Sequence, residues 1–210
     1  MTFPLPAPAR PLHVSSLGRA LGVLLTVTTL VTWAGGAEAR ERPRPERRAS
    51  LVWVLGQTKV ELEKKTLDVL GPDLVEMLID IVNTPREAPH VRVRALAGLG
   101  FYPSEGTYGY LTSLLRERSL MNDDLGTRMR QQAIRSLGAA FGDRAVDEML
   151  GLKQDPELLV REAVALALRD AGSPRVLPAL EAWLAVEPAF TVKVAIDKAI
   201  TRLQSLNTDN

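Results

Sequence analysis

Few side chains in this chain could carry a reaction. Histidine occurs twice, at His13 and His90. His13 falls in the leader discussed below, so a serine–histidine–carboxylate triad would rest on His90 alone, and a multi-histidine metal site cannot be built. Cysteine is absent, which excludes disulfides, thiolate metal sites, cysteine nucleophiles and a bacterial lipoprotein anchor. The adjacent acids Asp123/Asp124 and Asp147/Glu148 could exchange protons with a substrate only inside a cleft. On a loop or an exposed helix such pairs are simply solvated. Four basic residues, Arg92, Arg130, Arg161 and Lys193, recur at separations of 38, 31 and 32 positions and could form an anion-binding stripe. No catalytic, metal or cofactor residue is expected, and the chain is not expected to be an enzyme.

The charge balance narrows the partners. Removing residues 1–39 removes Arg10, Arg19 and Glu38 and leaves 24 basic and 24 acidic residues. With no excess of positive charge to neutralise phosphates, a nucleic-acid partner is not expected. Aromatic residues make up only 5% of the chain, which suits helices that pack closely through small and straight-chain side chains.

The four basic residues sit inside a recurring phrase. It reads Val91-Arg92-x-x-Ala95-x-x-Gly98-Leu99-Gly100, then Met129-Arg130-x-x-Ala133-x-x-Ser136-Leu137-Gly138. It returns as Val160-Arg161-x-x-Val164-x-x-Ala167-Leu168 and Val192-Lys193-x-x-Ile196-x-x-Ala199-Ile200, with a faint copy at Leu62–Gly71. Apolar and small positions at spacings of three and four predict a helix in each copy. Gly71, Gly100, Gly138 and Gly172 are expected to end four of these helices. A second apolar helix follows each copy except the last, with stripes Leu74/Met77/Leu78/Ile81, Leu111/Leu114/Leu115, Val146/Met149/Leu150 and Val176/Leu177/Leu180/Trp183. One amphipathic helix cannot bury its own stripe, so the pairs must stack on one another.

This phrase resembles the HEAT repeat, specifically the short HEAT-like type of phycobilisome lyases, over residues 58 to 206. The resemblance implies an all-α fold, a right-handed α-solenoid of about four to five helix pairs. It also implies that charged residues link adjacent units in a ladder. The candidates are Arg92, Asp124, Arg130, Asp155, Arg161, Glu187 and Lys193, with an acid six positions before the base in three units. If both partners are part-exposed, removing Arg161 should cost about 0–1 kcal/mol.

Unit two breaks the pattern. From the terminal glycine to the first apolar residue of the second helix, unit three spans eight positions (Gly138 to Val146) and unit two spans eleven (Gly100 to Leu111). The longer segment, Phe101 to Tyr110, holds every tyrosine in the chain. Insertions in solenoids map to loops, often on the binding face, so Phe101, Tyr102, Tyr108 and Tyr110 are the expected partner-binding residues. The competing role is to plug the gap that the insertion leaves. Trp183 is expected in the core, and Trp53 is expected to pack on unit one as an N-terminal cap.

Residues 20–37 carry no charge and lead into Ala37-Glu38-Ala39. Small residues at 37 and 39 fit a signal-peptidase site, so residues 1–39 are expected to be a cleaved signal peptide. The alternative is an inner-membrane anchor through residues 20–37, favoured by the arginines that follow. Residues 40–49, with five arginines and two prolines, are expected to be a disordered spacer. Residues 50–206 form the repeat domain and 207–210 a tail. The expected function is a non-enzymatic scaffold in the periplasm or secreted, which binds a protein and has no stable membrane insertion after cleavage. The alternative, implied by the resemblance, is a lyase- or chaperone-like helper acting on a chromophore- or cofactor-bearing partner.

Overall fold

The computed structural model describes residues 45–121 and 123–208, which belong to one compact unit. The expected signal peptide lies outside the described residues. Those residues form helices and connecting turns with no strand. Helix α1 is Pro45–Gly56, α2 Lys64–Asp68, α3 Leu74–Asn83, α4 Pro89–Leu99 and α5 Glu105–Arg116. Helix α6 is Asp124–Phe141, α7 Val146–Leu150, α8 Leu158–Ala171, α9 Leu177–Val186 and α10 Phe190–Thr208. Tight 3-10 turns at Arg118–Leu120, Gly142–Ala145 and Pro174–Val176 join several of them.

The recurring phrase falls on α4, α6, α8 and α10, the first helices. These pack in series, α4 on α6, α6 on α8 and α8 on α10. Ala95, Ala133, Ala167 and Ala199 are fully buried along the series. Small side chains at these positions let neighbouring helix backbones approach. The second helices α3, α5, α7 and α9 turn their stripes inward. Leu74, Met77, Leu78, Ile81, Leu111, Leu115, Val146, Met149, Leu180 and Trp183 are all buried, with Leu150 and Leu177 only half so. Pro178 sits in the first turn of α9, where its missing amide leaves no intrahelical bond unmade.

Several expectations change in detail. The expected spacer ends early, because α1 begins at Pro45. Arg47 pairs with Asp73, and Arg48 pairs with Asp80 and Glu87. These arginines find carboxylates at the two ends of α3, which is why a segment with little apolar character is nonetheless helical. Trp53 is 68% exposed and caps nothing; Leu51 and Leu55 carry the buried face of α1 instead. The faint first copy yields only one and a half turns, α2. The tail boundary falls inside α10, which continues to Thr208.

Gly138 does not end its helix. α6 runs on to Phe141 and stops at Gly142, whose φ of 52° lies in the left-handed half of the map. Gly172 plays the expected role, ending α8 with a left-handed φ of 68°.

Candidate functional site

The ladder residues start at the acid–proline steps. Asp155-Pro156 and Glu187-Pro188 each precede a first helix by a short extended link. The Asp155 Oδ1 accepts the Glu157 amide at 3.0 Å, and the Glu187 Oε1 accepts the Ala189 amide at 3.1 Å. Each carboxylate thus holds the entry to its own helix and presents its other face to the preceding unit. The basic residue arrives from there. Arg130 of α6 makes a two-armed bond to Asp155, and Arg161 of α8 makes one to Glu187, with Nε at 3.1 Å and Nη2 at 2.9 Å. Arg161 Nη1 also donates to the carbonyl of Asp155 at 2.8 Å. In this unit that bond accounts for the six-residue spacing. The base touches the backbone beside its own unit's acid and the carboxylate of the next unit.

These pairs are not at the surface. The side chains of Arg130 and Asp155 are 2% and 7% exposed, those of Arg161 and Glu187 13% and 2%. The modest cost expected for a part-exposed pair therefore does not apply, and buried-pair energetics do. The other rungs are missing. Arg92 donates through Nε to the carbonyl of Val82 at 2.8 Å, at the end of α3. Asp124 is exposed in the first turn of α6 and makes no ion pair among the described residues. Its neighbour Asp123 caps the helix instead, accepting the Gly126 amide at 2.7 Å. The stretched connection of unit two, with its extra turn at Arg118–Leu120, separates Asp124 from Arg92. Lys193, on α10, makes no ion pair among the described residues.

Glu187 has an added partner that the spacing did not reveal, Trp183 Nε1, at 3.0 Å. Burial pushes its carboxyl up in pKa, but the bonds from Arg161, the Ala189 amide and Trp183 outweigh this and hold it below the ordinary value. A carboxyl with a lowered pKa in the folded state contributes stability that is complete above the unfolded value and is lost as pH falls through the folded one. The stability deficit of Glu187→Gln relative to wild type should therefore be constant at neutral pH and shrink once pH drops below about 4.5, the ordinary value. Urea unfolding across that range checks it. A deficit that grows on acidification would mean the carboxylate is not the favoured form.

The four aromatic residues of unit two are half-buried and pack against the core. The inserted segment is shorter as a loop than expected, since α5 already starts at Glu105. Ser104 caps it, its hydroxyl accepting the Thr107 amide at 3.1 Å. Tyr108 and Tyr110 are therefore helical. The Tyr102 hydroxyl donates to Asp68 at 2.7 Å, and the Tyr110 hydroxyl donates to Asn83 at 2.8 Å. Burial pushes the Tyr110 hydroxyl up to about 12, against the pull of the Arg92 charge. The Tyr108 ring meets Phe141 edge-on at 5.1 Å, and the Arg144 guanidinium lies 4.2 Å from its centre. Each tyrosine thus has an intramolecular task. Tyr108→Ala should lower stability by about 2 kcal/mol or more, through lost packing and ring contact. Tyr102→Phe removes one exposed bond and should cost under about 1 kcal/mol. Thermal melts of the two variants distinguish them; equal, negligible losses would leave the rings free for a partner.

The remaining chemical candidates are dispersed. His90 is exposed in the first turn of α4, Asp147 pairs with Arg175, and Glu148 pairs with Arg116. Among the described residues no group of three or more His, Cys, Asp or Glu is placed to hold a metal ion, and no helix is long and apolar enough to cross a membrane. Sequence reasoning missed Ser136, a buried hydroxyl that donates to the Leu96 carbonyl at 2.8 Å and ties α6 to α4. The signal was present. Ser136 is the polar member of a position otherwise held by Gly98, Ala167 and Ala199.

Comparison with protein families places residues 119–200 in a match to HEAT repeats. The matched stretch runs from the turn before α6 into α10 and contains both ladder pairs. HEAT repeats generally mediate protein–protein interaction. A search of curated proteins finds no significant match.

Proposed function

We propose that this protein is an exported, non-enzymatic scaffold, a right-handed α-solenoid of about four to five HEAT-like helix pairs that binds another protein in the periplasm or after secretion. The observation that carries the reading is the pair of buried rungs, Arg130–Asp155 and Arg161–Glu187, inside the stretch that matches HEAT repeats. Bonds of this kind hold successive helix pairs at a set spacing and turn the stack into one rigid surface. A rigid extended surface is suited to partner recognition because little is left to order on binding.

Two experiments test the two halves of the proposal. Capture of periplasmic protein on the immobilised chain, followed by mass spectrometry, should return one saturable partner whose binding is lost when the fold is disrupted. Only background proteins would reject the scaffold. Export rests on residues 20–39 alone. Sequencing the N-terminus of protein from its native host should start at Arg40 or within a few residues of it. An intact leader in the membrane fraction would instead favour the anchor.

A further inference from the structure

Charges on the two helix sets are treated differently. On the second-helix side, cations and carboxylates of adjacent units neutralise one another. Arg116 pairs with Glu148, Arg144 with Glu105, and Arg175 with both Asp143 and Asp147. On the first helices, Arg135, Lys198 and Arg202 are exposed and make no ion pair among the described residues. These three line an open groove along the first-helix face. One part of it, about 610 Å³, crosses α4, α6 and α8 and is lined by Phe101, Arg135, Leu166 and Arg169. The other, about 770 Å³, lies between α8 and α10 and is lined by Arg169, Lys198 and Arg202. The two parts meet at Arg169 and Asp170. Of the four aromatics expected to bind a partner, Phe101 is the one that borders this groove.

We infer that the groove binds an extended acidic segment of the partner protein. This deepens the scaffold reading and rests on it. Along the combined lining Arg169 and Asp170 pair with each other at 2.7 Å, which leaves Arg135, Lys198 and Arg202 facing the one carboxylate Asp197. The imbalance favours a negatively charged occupant and opposes a basic one. Asp170, Asp197 and the apolar surface of Phe101 and Leu166 argue against a uniform polyanion. A nucleic acid would need continuous phosphate neutralisation, whereas a peptide can alternate acidic and apolar side chains to match. Size agrees. Helix axes about 8–10 Å apart put α4 and α10 roughly 24–30 Å apart, the span of about seven to nine extended residues.

The test uses the full chain and a fluorescein-labelled peptide of about twelve residues that alternates Glu with Leu and Ser, read by anisotropy. Binding should saturate, weaken as salt is raised, and vanish when Gln replaces Glu in the peptide. The double variant Arg135→Glu/Lys198→Glu should weaken it at least about tenfold, near 1.4 kcal/mol. Arg118→Glu, a single reversal of the same kind on the turn after α5, should leave it unchanged. Both groove positions are exposed, and Arg135→Gln/Lys198→Gln gives a milder version should the double reversal unfold. Absence of saturable binding, equal weakening by Arg118→Glu, or tighter binding of a DNA strand of equal charge would overturn the proposal. A captured natural partner that still binds Arg135→Glu/Lys198→Glu would also overturn it while leaving the scaffold standing.

Discussion

Arg130→Met should cost about 3–5 kcal/mol of folding stability, the range for stripping one partner from a buried ion pair. That is a large share of the 5–15 kcal/mol or so that holds a typical domain together. Methionine replaces most of the arginine's volume, so the loss is not chiefly a cavity effect. What remains is Asp155, 7% exposed, with the Glu157 amide as its one remaining side-chain bond. A carboxylate in that position has lost water and its direct partner, and keeps only the Arg161 guanidinium, bound to its backbone carbonyl, as a nearby cation. The companion variant separates the charge from the packing. Arg130→Met/Asp155→Asn keeps an oxygen for the Glu157 amide but strands no charge, and it should recover more than half of the deficit. Arg130→Lys should fall between, since an ammonium cannot reproduce the two-armed bond. Denaturant unfolding with an unchanged m-value measures all three. A single-variant loss below about 1 kcal/mol would place the pair with exposed ion pairs and remove the rung from the account of rigidity.

The legible parts of this fold were those written as period and residue size. The alanines and the apolar stripes fell where the three- and four-residue spacings put them, because burial of a helix face follows directly from that spacing. The direction of the ladder was less accessible. A spacing of six between Asp155 and Arg161 is equally compatible with a bond inside one unit, and only the stacking shows Arg161 reaching forward to Glu187 while Arg130 reaches to Asp155. Arg92 and Lys193 carry the same phrase and make no rung among the described residues; for Arg92, the acid it would need is displaced by the unit-two connection. Segment 45–49 misled for a related reason. Its arginines lack an apolar face of their own, but long-range carboxylates on either end of α3 order them. The groove cations were only partly patterned in the sequence. Arg135 and Lys198 share a repeat position, five after the basic residue of the phrase, but Ala97 and Leu166 hold it in the other copies and Arg202 stands elsewhere, so their convergence depends on how the first helices stack.

Gly138→Ala should destabilise the protein by about 1–3 kcal/mol, whereas Gly109→Ala should stabilise it by up to about 1 kcal/mol. Both glycines lie inside helices, α6 and α5 respectively, and in each the alanine removes the entropic penalty that glycine carries in a helix. The surroundings decide the sign. A β-carbon at Gly109 meets nothing within 4 Å, so the helix-propensity gain stands alone. A β-carbon at Gly138 would lie 2.6 Å from the Ala167 carbonyl oxygen and 3.0 Å from the Ala167 β-carbon. The obstacle is the backbone of α8, which cannot rotate aside as a side chain could. The α6–α8 pair would have to separate, loosening the packing that runs along their whole contact and displacing Asp155 from Arg130. The displacement would also change the distance between Arg135 on α6 and Arg169 on α8, so acidic-peptide binding should weaken together with stability. Gly109→Ala should leave that binding alone. Paired thermal melts and peptide titrations of the two variants test the argument. If Gly138→Ala proves as benign as Gly109→Ala, the first helices are not held at the close spacing from which both the ladder and the groove derive their geometry.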